Sequence, residues 1–405
     1  MFLRCSNEQC GKKFELHDRA VACPDCGDLF ELVVEKLATD PAALKKTWLE
    51  RRTSYDSRDT SGVWRFREFL PGGYNEVITL SEGNTPLVRG LKTADYAGMT
   101  NIRFKHLGWN PTACFKDLGM TTGITEAKFV GAKIVGCAST GNTSASMAAY
   151  AARAGLKARV YLPDGKISVN KLAQALDFGA EVVQVKGSFD LALDALLNSN
   201  DPDLYFLNSI NAFRIEGQKT VMFEMLEQLS WQVPDYVVVP GGNLGNSAAF
   251  GKGLLELKSF GFIDKLPRLI VVQAAGANPF ARMWRSGKHE LVANDHPETE
   301  ATAIQIGNPR SWKKSLKGVE QSGGFIMDVT DEEIADAKAM IGRDGIGCEP
   351  ASATTLAALR KLRAENKIDR DASVVAILTG HALKDTEFII RHQDEQSPPM
   401  AEVHS

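Results

Sequence analysis

The chain has 405 residues, of which 44% are hydrophobic and 24% are charged, and this composition is ordinary for a globular protein. Its formal net charge of -3 gives no electrostatic basis for binding nucleic acid or an anionic membrane, and no apolar run approaches the ~20 residues of a membrane span. The length predicts two domains plus an appendage, and the N-terminus lacks a secretory signal, so we expect a cytoplasmic protein.

Four of the seven cysteines lie in two close pairs near the N-terminus. Cys5 and Cys10 are separated by four residues, Cys23 and Cys26 by two, and twelve residues lie between the pairs. This spacing can bring four thiolates to one tetrahedral zinc ion, which would then have no open coordination position and would be structural. We therefore predict a zinc-ribbon-like segment over residues 1–36, with four unligated thiols as the alternative.

Beyond the ribbon, the sequence predicts a polar helix at 41–52, a turn-rich segment at 61–87, and then a regular alternation of strands and helices. Strands are predicted at 102–107, 134–138, 158–162, 181–185, 205–207, 236–239, 269–273 and 373–378. Helices are predicted at 120–129, 143–154, 168–178, 189–197, 218–229, 248–260, 331–341 and 351–363. Short apolar runs that alternate with helices are typical of βαβ units on a parallel sheet, and two such sets follow each other here. We predict an α/β fold.

Lys116 stands at the turn between a predicted strand and a predicted helix, among small and apolar residues. An apolar environment lowers the pKa of a lysine, and the neutral amine is the form that makes Schiff bases. The alternative is an ordinary surface lysine at the start of a helix, and this segment alone favours that alternative.

Two polar turns follow predicted strands, where open parallel sheets bind their ligands. Residues 139–144 read Ser-Thr-Gly-Asn-Thr-Ser, and their hydroxyl, amide and backbone N–H groups would suit a carboxylate or a phosphate. A well-capped helix start is the alternative. Residues 379–381 read Thr-Gly-His after the last strand, and a hydroxyl there could contact a ring nitrogen. An ordinary strand-ending turn is the alternative for this segment.

A glycine-rich turn at 240–246, Pro-Gly-Gly-Asn-Leu-Gly-Asn, follows another predicted strand. Its glycines let backbone N–H groups approach a phosphate closely. A dinucleotide-binding turn is the competing interpretation, but it normally requires an acidic residue at the end of a second strand, where this chain has Gln273. A monophosphate cradle therefore fits better. Together with Lys116, the three turns are the parts of a pyridoxal-phosphate site.

Nine segments carry a resemblance to a known family, and they occur in that family's order. They read SGVWRF, EGNTPL, NPTACFKDLGM, CASTGNTSAS, LNSINAFRIEGQKT, PGGNLGN, TAIQIGNP, CEPASA and LTGHALKD. On these motifs, residues 61–385 resemble the threonine synthases of the tryptophan synthase β-like, fold type II pyridoxal-phosphate enzymes. The resemblance implies two open parallel-sheet, three-layer lobes, the larger formed by residues 37–106 and 215–392 and the smaller by 107–214. We expect a flexible tail at 393–405.

The resemblance assigns cofactor contacts to residues that match the family's motifs. It makes Lys116 the Schiff-base lysine and proton shuttle, and it places Phe115 at the border of the cofactor ring. The other implied cofactor residues are the ring-hydroxyl partner Asn142, the ring-nitrogen partner Thr379, and the phosphate loop of Gly241, Gly242, Asn243, Leu244, Gly245 and Asn246.

The same resemblance assigns substrate contacts. Ser139 and Thr140 match positions that hold the substrate carboxylate, and Thr143, Ser209 and Arg214 match positions that hold the substrate phosphate. A guanidinium group such as that of Arg214 can grip a phosphate dianion through paired hydrogen bonds.

The implied activity is a phosphate-releasing carbon–oxygen lyase reaction. It converts O-phospho-L-homoserine and water to L-threonine and phosphate, the last step of threonine biosynthesis, in an enzyme expected to be a homodimer. One alternative is a cysteate synthase, which uses O-phosphoserine and sulfite, and another is a hydroxyamino-acid dehydratase, which would not need Arg214. An inactive zinc-ribbon binding protein is the alternative that is not an enzyme.

Two segments depart from the family's pattern. Ala113-Cys114 stands where the family usually has Gly-Ser, and Ala382 stands where it usually has Gly. The first pair lies directly before the Phe115-Lys116 step, so we expect it to tune the site rather than abolish activity.

Overall fold

The computed structural model describes residues 1–164, 169–186 and 189–394 of the chain. These residues form three β-sheets, two of which are covered by helices. None of the helices in this part of the chain combines the length and the apolar character that crossing a membrane requires.

The N-terminal segment is a small antiparallel sheet. Its strands are β1 (Phe2–Cys5), β2 (Lys13–Phe14) and β3 (Phe30–Val33), in the order β2-β1-β3. Alternate residues of β1 and β3 are buried, as expected for strands with one covered face. The four paired cysteines lie in and beside these strands, as the predicted ribbon requires.

The rest of the described chain alternates strands and helices. The strands are β4 (Leu87–Arg89), β5 (Ile102–His106), β6 (Ile134–Ala138), β7 (Lys157–Pro163), β8 (Glu181–Val185), β9 (Leu204–Phe206), β10 (Tyr236–Pro240), β11 (Arg268–Ala274), β12 (Phe325–Val329) and β13 (Val374–Leu378). The helices are α1 (Pro41–Arg51), α2 (Ser57–Thr60), α3 (Lys92–Ala97), α4 (Lys116–Phe129), α5 (Asn142–Ala154), α6 (Val169–Asp177), α7 (Phe189–Leu197), α8 (Ala212–Gln228), α9 (Gly245–Ser259), α10 (Pro279–Ser286), α11 (Trp312–Gln321), α12 (Asp331–Arg343), α13 (Pro350–Ala364) and α14 (Thr386–Asp394).

The predicted α/β fold with parallel sheets is confirmed. The larger sheet has the order β12-β11-β10-β13-β5-β4, in which only the β4–β5 pair is antiparallel, and the smaller sheet has the order β8-β7-β6-β9, parallel throughout. The central strands β6, β10 and β13 are buried along their whole length, which explains their continuous apolar sequences.

Some boundaries and edge strands differ from the sequence-based expectation. Helix α8 begins at Ala212, six residues before the predicted start at 218, because the Asn211 side chain caps it by accepting hydrogen bonds from the N–H groups of Phe213 and Arg214. Strands β4 and β12 were not predicted, since both are short edge strands without a continuous buried run. The expected tail at 393–405 begins inside α14, and residues 395–405 lie outside the described residues.

Helices α4 and α8 cross with their backbones in contact, and glycines make this crossing possible. A Cβ atom added at Gly217 would lie 1.8 Å from the carbonyl oxygen of Leu118, and one added at Gly119 would lie 2.9 Å from the carbonyl oxygen of Arg214. The crossing brings the first turn of α4, which begins with Lys116, towards the first turn of α8, which contains Arg214.

This crossing predicts that Gly217→Ala destabilises the protein. Alanine normally stabilises a helix interior by about 0.5–1 kcal/mol relative to glycine, but here the new methyl group overlaps a backbone oxygen, and such overpacking costs about 1–3 kcal/mol or more. We expect a lower urea midpoint, measured by circular dichroism. Gly342→Ala is the matched control, because Gly342 also lies in a helix and a Cβ there meets no atom within 4 Å. Equal midpoints for the two variants would contradict the close crossing.

Candidate active site

Lys116 is the first residue of α4, and its side chain is half-buried. Its Nζ atom lies 4.3 Å from the centroid of the Phe115 ring. Desolvation, aided by the nearby Arg214 charge, lowers the pKa of Lys116 to about 8, whereas Glu349 opposes the shift. Far more of the amine is therefore neutral near pH 7 than in an ordinary lysine, and the neutral amine is the state that a nucleophilic or basic lysine needs.

The loop before Lys116 pairs with the turn that follows β13. The N–H of Phe115 donates to the carbonyl of Thr379 at 2.9 Å, and the N–H of His381 donates to the carbonyl of Ala113 at 3.0 Å. An antiparallel bridge joins Cys114 to Gly380 between these two bonds. This pairing places the lysine loop beside Thr379.

Ala113 adopts a left-handed backbone conformation, with φ of 62°. Residues with a side chain pay about 1–2 kcal/mol for this conformation, which glycine adopts freely. The departure from the usual glycine therefore stores backbone strain immediately before the lysine. Cys114 is fully buried, and its Sγ lies 3.6 Å from Thr112 Oγ1 and 3.9 Å from the carbonyl oxygen of Asn142.

Asp117 fixes the shape of this loop, and sequence analysis missed it. Its buried carboxylate accepts hydrogen bonds from the N–H and hydroxyl groups of Thr112, at 2.7 and 2.6 Å, and from the Ser146 hydroxyl at 2.5 Å. Burial raises the pKa of Asp117 to about 6, although these bonds oppose the shift. An aspartate one residue after a candidate catalytic lysine and five after a threonine is the signal that could have indicated a closed loop.

Glu349 is the second residue that sequence analysis missed. One carboxylate oxygen accepts from Asn142 Nδ2 at 3.0 Å, and the other accepts from Thr379 Oγ1 at 2.8 Å. The side chain is buried, and desolvation raises the pKa of Glu349 while the bonds to Thr379 and Asn142 and the Lys116 charge oppose that shift. Glu349 thus links Asn142, the predicted partner of the ring hydroxyl, to Thr379, the predicted partner of the ring nitrogen. Its position directly before Pro350, at the start of α13, was the available signal.

The glycine-rich turn between β10 and α9 has room for backbone atoms but not for side chains. A Cβ at Gly241 would lie 2.7 Å from Val271 Cγ1, and a Cβ at Gly242 would lie 3.2 Å from the Cα of Ile304. Leu244 has a left-handed φ of 63° and turns the chain into α9, at whose N-terminus backbone N–H groups lack helical partners. This cradle fits a phosphate group, so the residues present fit pyridoxal phosphate.

Two asparagines of this turn have different partners. Asn243 Nδ2 donates to Ser209 Oγ at 2.8 Å, and its Oδ1 accepts from the N–H of Arg310 at 2.7 Å. Asn246 Nδ2 instead donates to the carbonyl of Pro240 at 3.1 Å, so this side chain closes the turn. The predicted cofactor-phosphate loop and the predicted substrate-phosphate residue Ser209 are therefore in direct contact.

Arg214 is a buried cation. Its Nη1 donates to the carbonyl of Leu207 at 3.1 Å, its Nε has no hydrogen-bond partner, and no carboxylate in the described part of the chain forms an ion pair with it. Burial lowers its pKa to about 10. Gly123 leaves space for its aliphatic chain, since a Cβ there would lie 3.2 Å from Arg214 Cγ. A buried, unpaired guanidinium is costly, and an anionic ligand would offset the cost.

The turn at 139–144 is less tightly connected to the rest of the site. Ser139 Oγ accepts from the N–H of Gly141 at 3.3 Å, and Ser139, Thr140 and Thr143 are half-buried at the start of α5. Among the described residues, Asn142 is the member of this turn whose side chain bonds to another predicted site element, through Glu349. No hydrogen bond in that part of the chain joins the side chains of Thr140 or Thr143 to another side chain.

The four N-terminal cysteines form one cluster. The sulfur atoms of Cys5, Cys10, Cys23 and Cys26 all lie within 4.8 Å of one another, with 3.3 Å between Cys5 and Cys26 and 3.8 Å between Cys10 and Cys23. Zinc–sulfur bonds of about 2.3 Å in a tetrahedron separate the sulfurs by about 3.8 Å. The cluster could therefore bind zinc.

Comparison with known proteins identifies the family of the chain. The family described as pyridoxal-phosphate dependent enzyme matches residues 78–380. The threonine synthase of Methanocaldococcus jannaschii is 45% identical over 98% of this chain and 96% of its own length, and that of Methanosarcina acetivorans is 43% identical over 94% and 92%. The threonine synthase of a Synechocystis species is 42% identical over 88% of this chain and 93% of its own.

Solved structures share the fold at lower identity. The processed form of threonine deaminase isoform 2 from Solanum lycopersicum has a TM-score of 0.66 at 19% identity, covering 91% of this chain and 98% of that chain. A fungal L-serine ammonia-lyase from Rhizomucor miehei has a TM-score of 0.65 at 19% identity, covering 79% of this chain and 99% of that chain. These two likenesses bear on the fold alone.

The strained loop predicts that Ala113→Gly stabilises the protein. Glycine removes the left-handed penalty at φ of 62°, so the free energy of unfolding should rise by up to about 1 kcal/mol. Ala382→Gly is the matched control, since it also restores the family's glycine but Ala382 has no positive φ. Urea unfolding should show a higher midpoint for the first variant and an unchanged or lower midpoint for the second. A stabilising Ala382→Gly together with a destabilising Ala113→Gly would refute the strain.

Proposed function

The chain belongs to the threonine synthases within the pyridoxal-phosphate-dependent enzymes, and we propose that it forms L-threonine and phosphate from O-phospho-L-homoserine and water. The observation that carries the choice of substrate is Arg214, a buried cation that pairs with no carboxylate among the described residues and whose charge lowers the pKa of Lys116. A dehydratase acting on an unphosphorylated hydroxyamino acid would have no use for this group.

Pyridoxal phosphate, when bound, supplies an electron sink that lets protons leave carbon atoms near the substrate nitrogen. Lys116 would hold the cofactor's aldehyde carbon, beside Phe115. The cofactor's phosphate would be held by backbone N–H groups of the turn Gly241, Gly242, Asn243, Leu244 and Gly245, to which Asn246 would contribute only its backbone because its side chain bonds to Pro240.

Asn142, Thr379 and Glu349 would orient the cofactor ring. Asn142 would donate to the ring hydroxyl, and Thr379 would face the ring nitrogen. Glu349 accepts hydrogen bonds from both side chains and therefore holds the two partners in fixed positions. The buried carboxylate also lies close enough to Lys116 to raise that residue's pKa.

Lys116 would then act as the proton carrier. With a pKa of about 8, its Nζ is neutral in a useful fraction of molecules and would accept the proton from the substrate Cα. Phosphate would leave from Cγ once a base has taken a β proton, and Cγ would then take up a proton. Water would add its hydroxyl group at Cβ, and Lys116 would return a proton to Cα to complete threonine.

The substrate's two anionic ends would lie at two helix starts. Ser139 and Thr140, before α5, would hold the carboxylate. Arg214, Ser209 and Thr143 would hold the phosphate, and the Ser209–Asn243 hydrogen bond would tie this position to the cofactor loop.

We further propose the larger lobe at 37–106 and 215–392 and the smaller lobe at 107–214. The two separate parallel sheets support this division, since one contains β6 to β9 and the other contains β4, β5 and β10 to β13. A homodimer is the proposed assembly, because two-fold dimers are the commonest closed oligomers, and light scattering would test it. We also propose a cytoplasmic location, which is supported by seven cysteines that form no disulfide in the described part of the chain.

Lys116→Ala is expected to abolish turnover. A positioned base contributes ~100- to 10,000-fold, and this lysine would also hold the cofactor, so phosphate release should fall by at least that factor. The visible absorption of the bound cofactor should change in the same variant. Lys128→Ala is the control on the same helix, where an exposed lysine pairs with Glu76. Near-normal phosphate release by Lys116→Ala would remove this residue from the mechanism.

Arg214→Gln is expected to weaken substrate binding selectively. Loss of charge-assisted hydrogen bonds worth about 1.5–3 kcal/mol should lower kcat/KM for O-phospho-L-homoserine roughly 10- to 100-fold, mainly through KM. Arg153→Gln, an exposed arginine on α5, is the control. Assays with O-phosphoserine plus sulfite, and with free threonine, test the two competing activities. Faster turnover of either by the parent enzyme would contradict the proposed substrate.

A further inference from the structure

The ribbon, residues 1–36, packs on the part of α8 that carries Arg214. Its apolar core of Leu3, Phe30 and Leu32 is continued by Ala212 and Phe213, the two residues immediately before Arg214. A module of this size buries too little apolar surface to be stable alone, so it depends on this contact, and a metal bound by its four cysteines would stabilise it further. The first turn of α8 is therefore part of the ribbon's own core.

The ribbon also contacts the helix that begins with Lys116 and the smaller sheet. His17 lies 3.0 Å from Glu126 Oε2 on α4, and Tyr74 donates to the same oxygen at 2.6 Å. The His17 ring stacks on Phe213, with 6.4 Å between centroids. Arg19 donates to the carbonyl of Leu204 in β9 at 3.3 Å.

The ribbon also contacts α11, and the residues just before α11 bond to the cofactor-phosphate turn. In the first turn of α11, Lys313 donates to the Asp28 carboxylate at 2.9 Å. Lys314, the next residue, donates to the carbonyl of Phe30. The residues just before them, Arg310 and Ser311, donate their N–H groups to the side chain and the backbone carbonyl of Asn243.

The ribbon thus contacts α8, which carries Arg214, and α11, which follows the residues that bond to Asn243. In the described part of the chain, it does not contact Arg214 or Asn243 directly. We propose that the metal-loaded ribbon is a brace that holds the substrate-phosphate end of the site, so that metal binding raises affinity for the substrate's phosphate group. This inference rests on the proposed role of Arg214. Phe213 is the positioning residue through which the ribbon acts.

The first experiment removes the metal from the intact enzyme. The holoenzyme is compared before and after chelator treatment, and with Cys26→Ser, whose cysteine is the exposed member of the cluster. KM for O-phospho-L-homoserine and the Kd for inorganic phosphate should rise roughly tenfold, within the 5- to 150-fold range of typical couplings, while the cofactor absorption is retained. Unchanged KM and Kd, or loss of cofactor and secondary structure together, would overturn the local brace.

The second experiment uses the reciprocity of linked binding. If metal strengthens phosphate binding, inorganic phosphate must strengthen metal binding by the same factor, which competition with a chelator measures without any turnover. In the Arg214→Gln holoenzyme this protection should disappear. If Arg214→Gln itself leaves phosphate affinity unchanged, the proposed function of Arg214 fails. If Arg214→Gln weakens phosphate binding but phosphate never protects the metal, only the brace is refuted.

The third experiment leaves the four thiols untouched. Phe213→Ala removes the shared core contact and should raise KM while the metal content and the cofactor absorption stay at parent values. Lys317→Ala, which removes the rim ion pair with Glu8, is the matched control and should leave KM unchanged because exposed pairs contribute little. Equal KM values for Phe213→Ala and the parent would exclude Phe213 as the link.

Discussion

The close crossing of α4 and α8 determines where two cations of the site lie. Gly217 lets α8 approach the carbonyl of Leu118, and Gly119 and Gly123 leave a groove for the backbone and side chain of Arg214. The starts of both helices therefore converge, and the Arg214 charge acts on Lys116 and lowers its pKa. Helix N-termini already carry partial positive charge, so two such starts with two cationic side chains produce a strongly positive site that favours an anion.

The buried carboxylates act on different parts of this positive site. Glu349 lies near Lys116 and is bonded to Asn142 and Thr379, so it offsets part of the positive charge on the side where the cofactor ring would lie. Asp117 is bonded within the loop and to α5, and it determines loop shape. No carboxylate among the described residues pairs with Arg214. The phosphate end of the site therefore keeps its uncompensated charge, and a dianionic substrate group is the natural counterion.

The sequence predicted the α/β class, the buried central strands and the cysteine cluster, because each has a local signal of apolar runs or residue spacing. It did not reveal β4 and β12, which are short edges, or Glu349, which lies 207 residues from its partner Asn142. The glycines of α4 and α8 appear in the sequence as unfavourable helix residues, and only the crossing explains them. The strain at Ala113 was equally hidden, since the departure from the usual glycine was visible but its backbone conformation was not.

The ribbon contacts α8 through an apolar part and a charged part. This difference determines which part of α8 depends on the ribbon for its position. Ala212 and Phe213 are shared apolar core, whereas one turn later Glu216 belongs to a buried network with Lys219 and Lys252, and Lys252 also donates to the carbonyl of Leu32 at 2.6 Å. The charged network has its own internal pairs, so it keeps partners when the ribbon shifts. The apolar first turn of α8 has no alternative partners of this kind. If the ribbon moved away, Phe213 would become exposed to water and would lose the free energy gained by its burial. A displacement of the ribbon would therefore mainly disturb the first turn of α8, which contains Arg214.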